Sequence, residues 1–252
     1  MTIRFLTDIP ALFISDKKIL VISELHLGLE YDLYKSGVKI PSQRIKFEET
    51  IEQLIKSTKA KTLVILGDIK HKVPGSTIRE DIEIPKFLEN LKQKIKLILI
   101  KGNHDDRIEE IIPSGIKIYS SRGHKIGKYG FFHGHAWPSK NLMQCDYLFM
   151  GHVHPSIEFK DSFGFRSVLS VWLKGKLNQE LIKKKYNIEK TGELNAIVLP
   201  TFNNILGSAV LNKIKKEKHT GPLFVNEIFD LNRSKIYLLD GTYLGILKDL
   251  KK

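Results

Sequence analysis

The stretch "KLILIKGNHDD", residues 96–106, decides the fold. A short apolar run breaks off into a glycine and then an amide, an imidazole and two carboxylates. The apolar part is too short for a helix and does not alternate with polar residues, which reads as a strand buried on both faces. "KTLVILGD" at 61–68 has the same form, and so does "LVISELHLGLE" at 20–30. In the last of these Glu24 and His26 are two apart, so on a strand they leave the same face. Helical patterns separate the runs. In "QRIKFEETIEQLIKSTK" (43–59) Phe47, Ile51, Leu54 and Ile55 share a face, with Ser42 as the expected N-cap and Pro41 marking the turn before it. A second helix is expected over about 78–93, with Ile78, Ile82, Phe87, Leu88 and Leu91 inward. Alternating strand and helix implies parallel pairing.

Residues 11–15 and 18–23 flank Asp16-Lys17 as an expected hairpin. After Ile108 the helical patterns thin out. "IKIYS", "YGFFH", "DYLFMGH", "FRSVLSV", "LNAIVLP" and "LFVNEIF" read as strands, and "KIYLLDGTYLGIL" as a hairpin turning at Asp240-Gly241. The polar stretch 174–193 is expected to be a surface insertion or helix. No repeat or linker divides the chain, so residues 1–252 read as one α/β domain. Its polar motifs lie within 20–155, and 156–252 is mostly β.

Composition narrows the class. Hydrophobic residues are 42% and charged residues 27% of 252, ordinary for a globular protein with a core. No apolar run is long enough to cross a bilayer, and the N-terminus lacks a sustained apolar segment of the signal-peptide kind. A single cysteine, Cys145, rules out an internal disulfide framework and a thiolate zinc site. A cytoplasmic location is the expectation. The net charge of +13 makes anionic partners plausible, nucleic acid among them. The lysines are scattered, however, and the clusters at 182–186 and 213–218 read as solvated faces without interleaved aromatic rings.

Ligands of open α/β sheets bind beyond the carboxyl ends of the strands. Polar residues gather there repeatedly: Glu24 and His26, Asp68 and His71, Asn103 with His104 and Asp105, His133 and His135, His152 and His154. Packing explains one such histidine easily, but not five such stretches in one chain. Two divalent ions about 3.5–4 Å apart can clamp a phosphoryl group and activate its nucleophile. Carboxylate, amide and imidazole donors without thiolate suit manganese, iron or zinc.

The ordered series carboxylate-x-His, "GD", "GNHD", His and "GHVH" resembles the calcineurin-like metallophosphoesterases over about residues 18–155. That resemblance implies a four-layer αββα sandwich, two mixed sheets flanked by helices. "ISELHLGLE", "GDIKH", "HGHAWPS" and "LPTFNNILG" are similar to the archaeal SbcD-related and DNA-ligase-associated phosphoesterases. Carried over, Glu24, His26 and His154 would hold one metal ion, and Asn103, His133 and His152 a second. Asp68 would bridge both. His135 stays open as the alternative to His133 and otherwise joins His71 at the substrate edge. His104 would protonate the leaving oxygen or steady the phosphoryl charge, and Asp105 would orient it by a hydrogen bond.

The implied cofactor is a pair of divalent ions, manganese first, with iron, zinc or nickel as alternatives. The implied activity is hydrolysis of a nucleotide or nucleic-acid phosphodiester. A repair-type nuclease and a non-catalytic scaffold are the competing readings, the latter because the family has aspartate where this chain has Glu24. Glutamate keeps the oxygen donors and adds about 1.5 Å of reach, one carbon–carbon bond. Asn203 and Asn204 are expected to pin a loop, and Trp137 to be a core or rim aromatic rather than a base platform.

Overall fold

The three apolar runs that end in polar motifs lie side by side at the centre of one sheet. In the computed structural model, which describes residues 2–213 and 221–251, this sheet has six strands in sequence order. They are β1 (Ile3–Phe5), β2 (Leu12–Ile14), β3 (Ile19–Ile22), β4 (Thr62–Ile65), β5 (Lys96–Ile100) and β6 (Lys117–Tyr119). The first three pair antiparallel and β3 to β6 pair parallel, with Val21, Val64 and Ile98 in register. Period-two alternation sends Leu20, Ile22, Leu63, Ile65, Leu97 and Leu99 to one face. Ile19, Val21, Val64, Ile98 and Ile100 go to the other.

Helices α1 (Leu29–Lys35), α2 (Arg44–Thr58) and α3 (Ile78–Lys92) belong to this half of the chain. Phe47, Ile51 and Leu54 of α2 join Ile84, Phe87, Leu88 and Leu91 of α3 over the first face. One expectation is corrected here. Ile78 and Ile82 are 81% and 52% exposed, because the inward stripe of α3 is 84, 87, 88 and 91, and those two isoleucines fall on the opposite side. The Ser42 hydroxyl accepts from Arg44 N–H at 3.3 Å, a cap-type bond of the kind expected of it, from one residue ahead of the cap position. Gln43 holds the cap position, its backbone N–H donates to the Glu30 carboxylate, and the Ser42 hydroxyl donates to Glu83 at 2.7 Å. Thr77 caps α3 in a reciprocal box with Glu80.

The second sheet contains β7 (His124–Ile126), β8 (Tyr129–Phe131), β9 (Tyr147–Met150), β10 (Pro155–Lys160), β11 (Arg166–Lys176), β12 (Asn195–Val198), β13 (Ala209–Val210), β14 (Lys235–Leu238) and β15 (Tyr243–Ile246). Its main order is β13-β10-β11-β12-β9-β8-β7, and the β14–β15 hairpin pairs onto β11. Parallel pairs β8–β9 and β9–β12 lie among antiparallel ones, so this sheet is mixed as well. Tyr129, Phe131, Phe149, Trp172 and Ile197 face the first sheet, and each such fully buried side chain contributes about 1.5–3 kcal/mol. The outer face is covered by Ile182 of α4 (Gln179–Tyr186), Leu223 and Phe224 of α5 (Pro222–Val225), and Leu247 of α6 (Leu247–Leu250). The order helix, sheet, sheet, helix is the four-layer αββα sandwich.

The stretch "LFVNEIF" departs from the strand expected of it. Pro222 occupies the first turn of α5, where its fixed φ suits a helix, and Phe224 packs against Phe229 with ring centroids 5.0 Å apart. Residues 174–193 divide between the end of β11 and α4, which Asn178 caps. Of the basic cluster 213–218, only Lys213 is among the described residues. No helix among these residues is long and apolar enough to cross a membrane.

Candidate metal centre

All five polar motifs follow strands at the same edge of the sandwich, β3, β4 and β5 from one sheet and β8 and β9 from the other. Their backbones are stitched together. Glu24 N–H donates to Gly67 O at 3.3 Å, His26 N–H to Asp68 O at 2.9 Å, and Gly151 N–H to His133 O at 2.9 Å. The chain after β12 then crosses to the first sheet, where Phe202 N–H donates to Ser23 O and Asn203 N–H to Glu24 O. Asn203 also donates its side-chain amide to Leu25 O at 2.9 Å, so it pins this crossing. Glu24, His26, Asp68, His152 and His154 all have positive φ, between 43° and 67°. Such backbone costs roughly 1–3 kcal/mol per residue and gathers at sites where surrounding structure enforces it. Gly102 and Gly151 allow the close approach: a Cβ on the first would overlap Asp68, and on the second Ser23 and Glu24.

The side chains form two carboxylate-bearing donor triads, Glu24 with His26 and His154, and Asp68 with His133 and His152, beside a third group of histidines alone, His26 with His71 and His104. Glu24 is fully buried and uses its oxygens differently. Oε1 accepts from Ser23 Oγ at 3.0 Å and from His152 N–H at 2.6 Å, while Oε2 faces His26 Nε2 at 3.1 Å and His154 Nε2 at 2.8 Å. Asp68 Oδ2, in the second triad 3.4 Å from His133 Nε2, also reaches the first, 3.6 Å from His26 Nε2.

The tautomers show what these donors fit. His133 Nδ1–H donates to Leu66 O at 2.6 Å, which turns Nε2 toward Asn103 Oδ1 at 3.1 Å and Asp68. His154 Nδ1–H donates to Gly207 O at 3.1 Å and likewise presents Nε2 to Glu24. Electron-rich atoms facing one another at these distances require a cation between them, a proton or a metal ion. Burial disfavours charge on His133, yet Glu24 and Asp68 hold its pKa up at about 9. Burial and the His133 charge push His152 down to about 4. Although burial works against its ionisation, Glu24 stays well below the usual carboxylate range, held there by His133 and by the His154 and His26 hydrogen bonds. Divalent ions suit this field and this hard and borderline donor set.

His104 sits beside the first triad, its ring 4.7 Å from that of His26. Its Nδ1–H donates to His71 O at 2.6 Å, and its backbone N–H to Asp68 Oδ1 at 2.8 Å. The expected Asp105–His104 hydrogen bond is corrected: Asp105 is wholly buried and accepts instead from the N–H groups of Asp68 (2.7 Å), Ile69 (2.8 Å) and Gly102 (2.8 Å). It ties the ends of β4 and β5 together rather than orienting an imidazole. His71 faces His26, Nδ1 to Nδ1 at 3.3 Å, and lies 3.6 Å from Asp32. His135 is near His133 and His152, with ring centroids 5.1 and 5.8 Å away, and its buried Nδ1 has no hydrogen-bond partner among the described residues. Trp137 lies at the rim of the outer core, with Lys185 over its ring at 4.2 Å.

Several supporting residues escaped the sequence reading. Lys70 is 1% exposed and donates to Lys72 O, Gly75 O and Asp106. Glu80, also buried, accepts from the N–H groups of His71 and Lys72 and so shapes the loop that carries His71. Ser23 fixes Glu24. Only Ser23 had a visible signal, its place beside the motif carboxylate.

Residues 17–174 match the calcineurin-like phosphoesterase family, so the chain belongs to that family. Among solved structures it is similar to the nuclease MPE of Pseudomonas putida, at 16% identity, 94% of this chain, 90% of that one and a TM-score of 0.55. It is also similar to YfcE, a phosphoesterase from E. coli, at 16% identity, 90% and 96% coverage and a TM-score of 0.43. No curated protein matches the sequence. The family implies phosphoester hydrolysis with divalent metal ions, and the two triads are residues that could hold them.

Proposed function

We propose that this phosphoesterase is a two-metal phosphodiesterase acting on a nucleotide or nucleic-acid phosphodiester. The observation that carries the reading is Asp68 Oδ2, which belongs to one carboxylate-bearing triad and also lies 3.6 Å from His26 of the other. In this reading Glu24, His26 and His154 hold one ion, Asn103, His133 and His152 the other, and Asp68 both. Bound there, divalent ions supply charge stabilisation for the phosphoryl oxygens and lower the pKa of water. His104 delivers a proton from Nε2 to the leaving oxygen, with its Nδ1–H anchored on His71 O. Asp105 acts only by holding the loops. His71 and His135 stand at the substrate edge. The SbcD-related and ligase-associated groups are the subfamily we favour, on the motifs "ISELHLGLE" and "LPTFNNILG". Both sheets contribute donors, which supports reading residues 1–252 as one catalytic unit.

The nuclease reading has two supports, the net charge of +13 and the activity of the Pseudomonas putida neighbour. Hydrolysis of bis(p-nitrophenyl) phosphate in manganese tests the proposal. Chelation should abolish turnover, and Asp68→Asn and His104→Ala should each lower it at least 100-fold. Turnover that survives chelation and both substitutions would overturn the mechanism. Silence with every divalent ion would bring the scaffold reading forward. Cleavage of DNA that falls steeply with salt would select the nuclease.

A further inference from the structure

A cavity of about 1320 Å³ opens at the other end of the strands, where β9 and β12 begin rather than end. It lies between the edge strand β1 and the β11–β14 pair, and none of the metal-site residues lines it. Its walls bring like charges together. Lys174 on β11 and Lys235 on β14 are direct register partners, an arrangement that destabilises an antiparallel pair unless something offsets it. Arg4 of β1 borders the same space, but its guanidinium is turned to the Phe13 ring, 5.2 Å from its centre, on the other face of the strand from Phe5. Among the described residues no carboxylate makes an ion pair with Lys174, Lys235 or Arg4, whereas the neighbouring charges are matched. Arg233 lies 3.5 Å from Asp230, and Lys176 is 2.7 Å from Glu193.

Aromatic faces accompany these cations. The Lys174 ammonium lies 5.5 Å from the centre of the Phe5 ring and 5.3 Å from that of Tyr237. Tyr147 completes this aromatic side of the lining. Burial, and then Lys235, lower the Lys174 pKa, so an anion there would relieve a standing repulsion. The ring contacts account for where Lys174 points, but they leave Lys235 uncompensated. Its space is sufficient for a ligand of drug size.

We propose that this cavity binds a nucleotide, with its phosphate between Lys174 and Lys235 and its base against the aromatic lining. The site is separate from the metal centre and does not depend on the phosphodiesterase reading. Calorimetric titration of the full chain with AMP tests it, using Lys235→Gln, which changes an exposed residue, and Asp68→Asn as the metal-site comparison. Photolabelling with 8-azido-AMP and peptide mapping locates the binding. The expected result is micromolar binding that weakens tenfold or more in Lys235→Gln, persists in Asp68→Asn, and labels residues 1–13 or 235–243. Absence of AMP binding at millimolar concentration would overturn the proposal. Loss in Asp68→Asn alone, or label confined to 103–107 and 133–135, would do the same. Inorganic phosphate competing as tightly as AMP would remove the base from the assignment.

Discussion

Glu24 divides the work of one carboxylate between its two oxygens. Oε1 is spent on Ser23 and the His152 backbone, and Oε2 is the atom turned to the histidines. The extra methylene is what lets one side chain reach both. An aspartate at this position, shorter by about 1.5 Å, would give up one set of contacts. Glu24→Asp should therefore lower manganese-dependent turnover by about 10- to 100-fold instead of improving it. Ser23→Ala should produce a milder loss in the same assay, because His152 still holds Oε1. The donors were legible in the sequence because their own side chains form the motif. Ser23 had only its place beside the motif carboxylate as a signal, and Lys70 and Glu80 had none, because they brace a loop whose course no hydrophobic or motif pattern gives. Asp105 shows the opposite error: its motif suggested a partner next door, and its carboxylate turned to the backbone of another strand.

Among the elements, the loop after β4 is the most heavily braced. Lys70 is a buried cation that donates to two carbonyls and to Asp106, and Asp106 also accepts from Gly75 N–H. The Lys70 hydrogen bond is the main cause that lowers the Asp106 pKa. A carboxyl that titrates lower folded than unfolded adds stability above its unfolded value of about 3.9 and loses it as pH falls through the folded value. Asp106→Asn should destabilise the protein by about 1–2 kcal/mol at neutral pH. Urea midpoints of wild type and variant should converge below about pH 4. The strands around this loop were readable as apolar runs. Helix α3 was only partly so, because Ile78 and Ile82 are apolar residues on a solvent face, and hydrophobicity alone does not choose a side. Pro222 was the neglected sign that α5 would not be a strand.

At the scale of the whole molecule, the inventory of strands could be read, but not the order of the second sheet. Pairings such as β9 with β12 and β10 with β13 join segments about 50 residues apart, and no local pattern encodes them. The packing they produce seals Cys145, which is fully buried and whose thiol burial pushes up to about 11. Native protein at pH 8 should not react with Ellman's reagent over hours. Release of one thiol equivalent should follow the unfolding transition in urea, so faster reaction in the native state would mean local opening near the second sheet.

The crossing at residues 199–204 has a consequence for inheritance of the site. The family match ends at residue 174, while the backbone clamp on Ser23 and Glu24 comes from Phe202 and Asn203. The candidate metal donors and one strap on the first of them are thus specified by separate tracts of the chain. A fragment bearing every motif would carry the full set of candidate donors but lack one of the holds on Glu24, leaving those of Ser23, Gly67 and the His152 backbone. Substitutions in 199–204 can therefore disable the centre without altering any donor that a motif search would find.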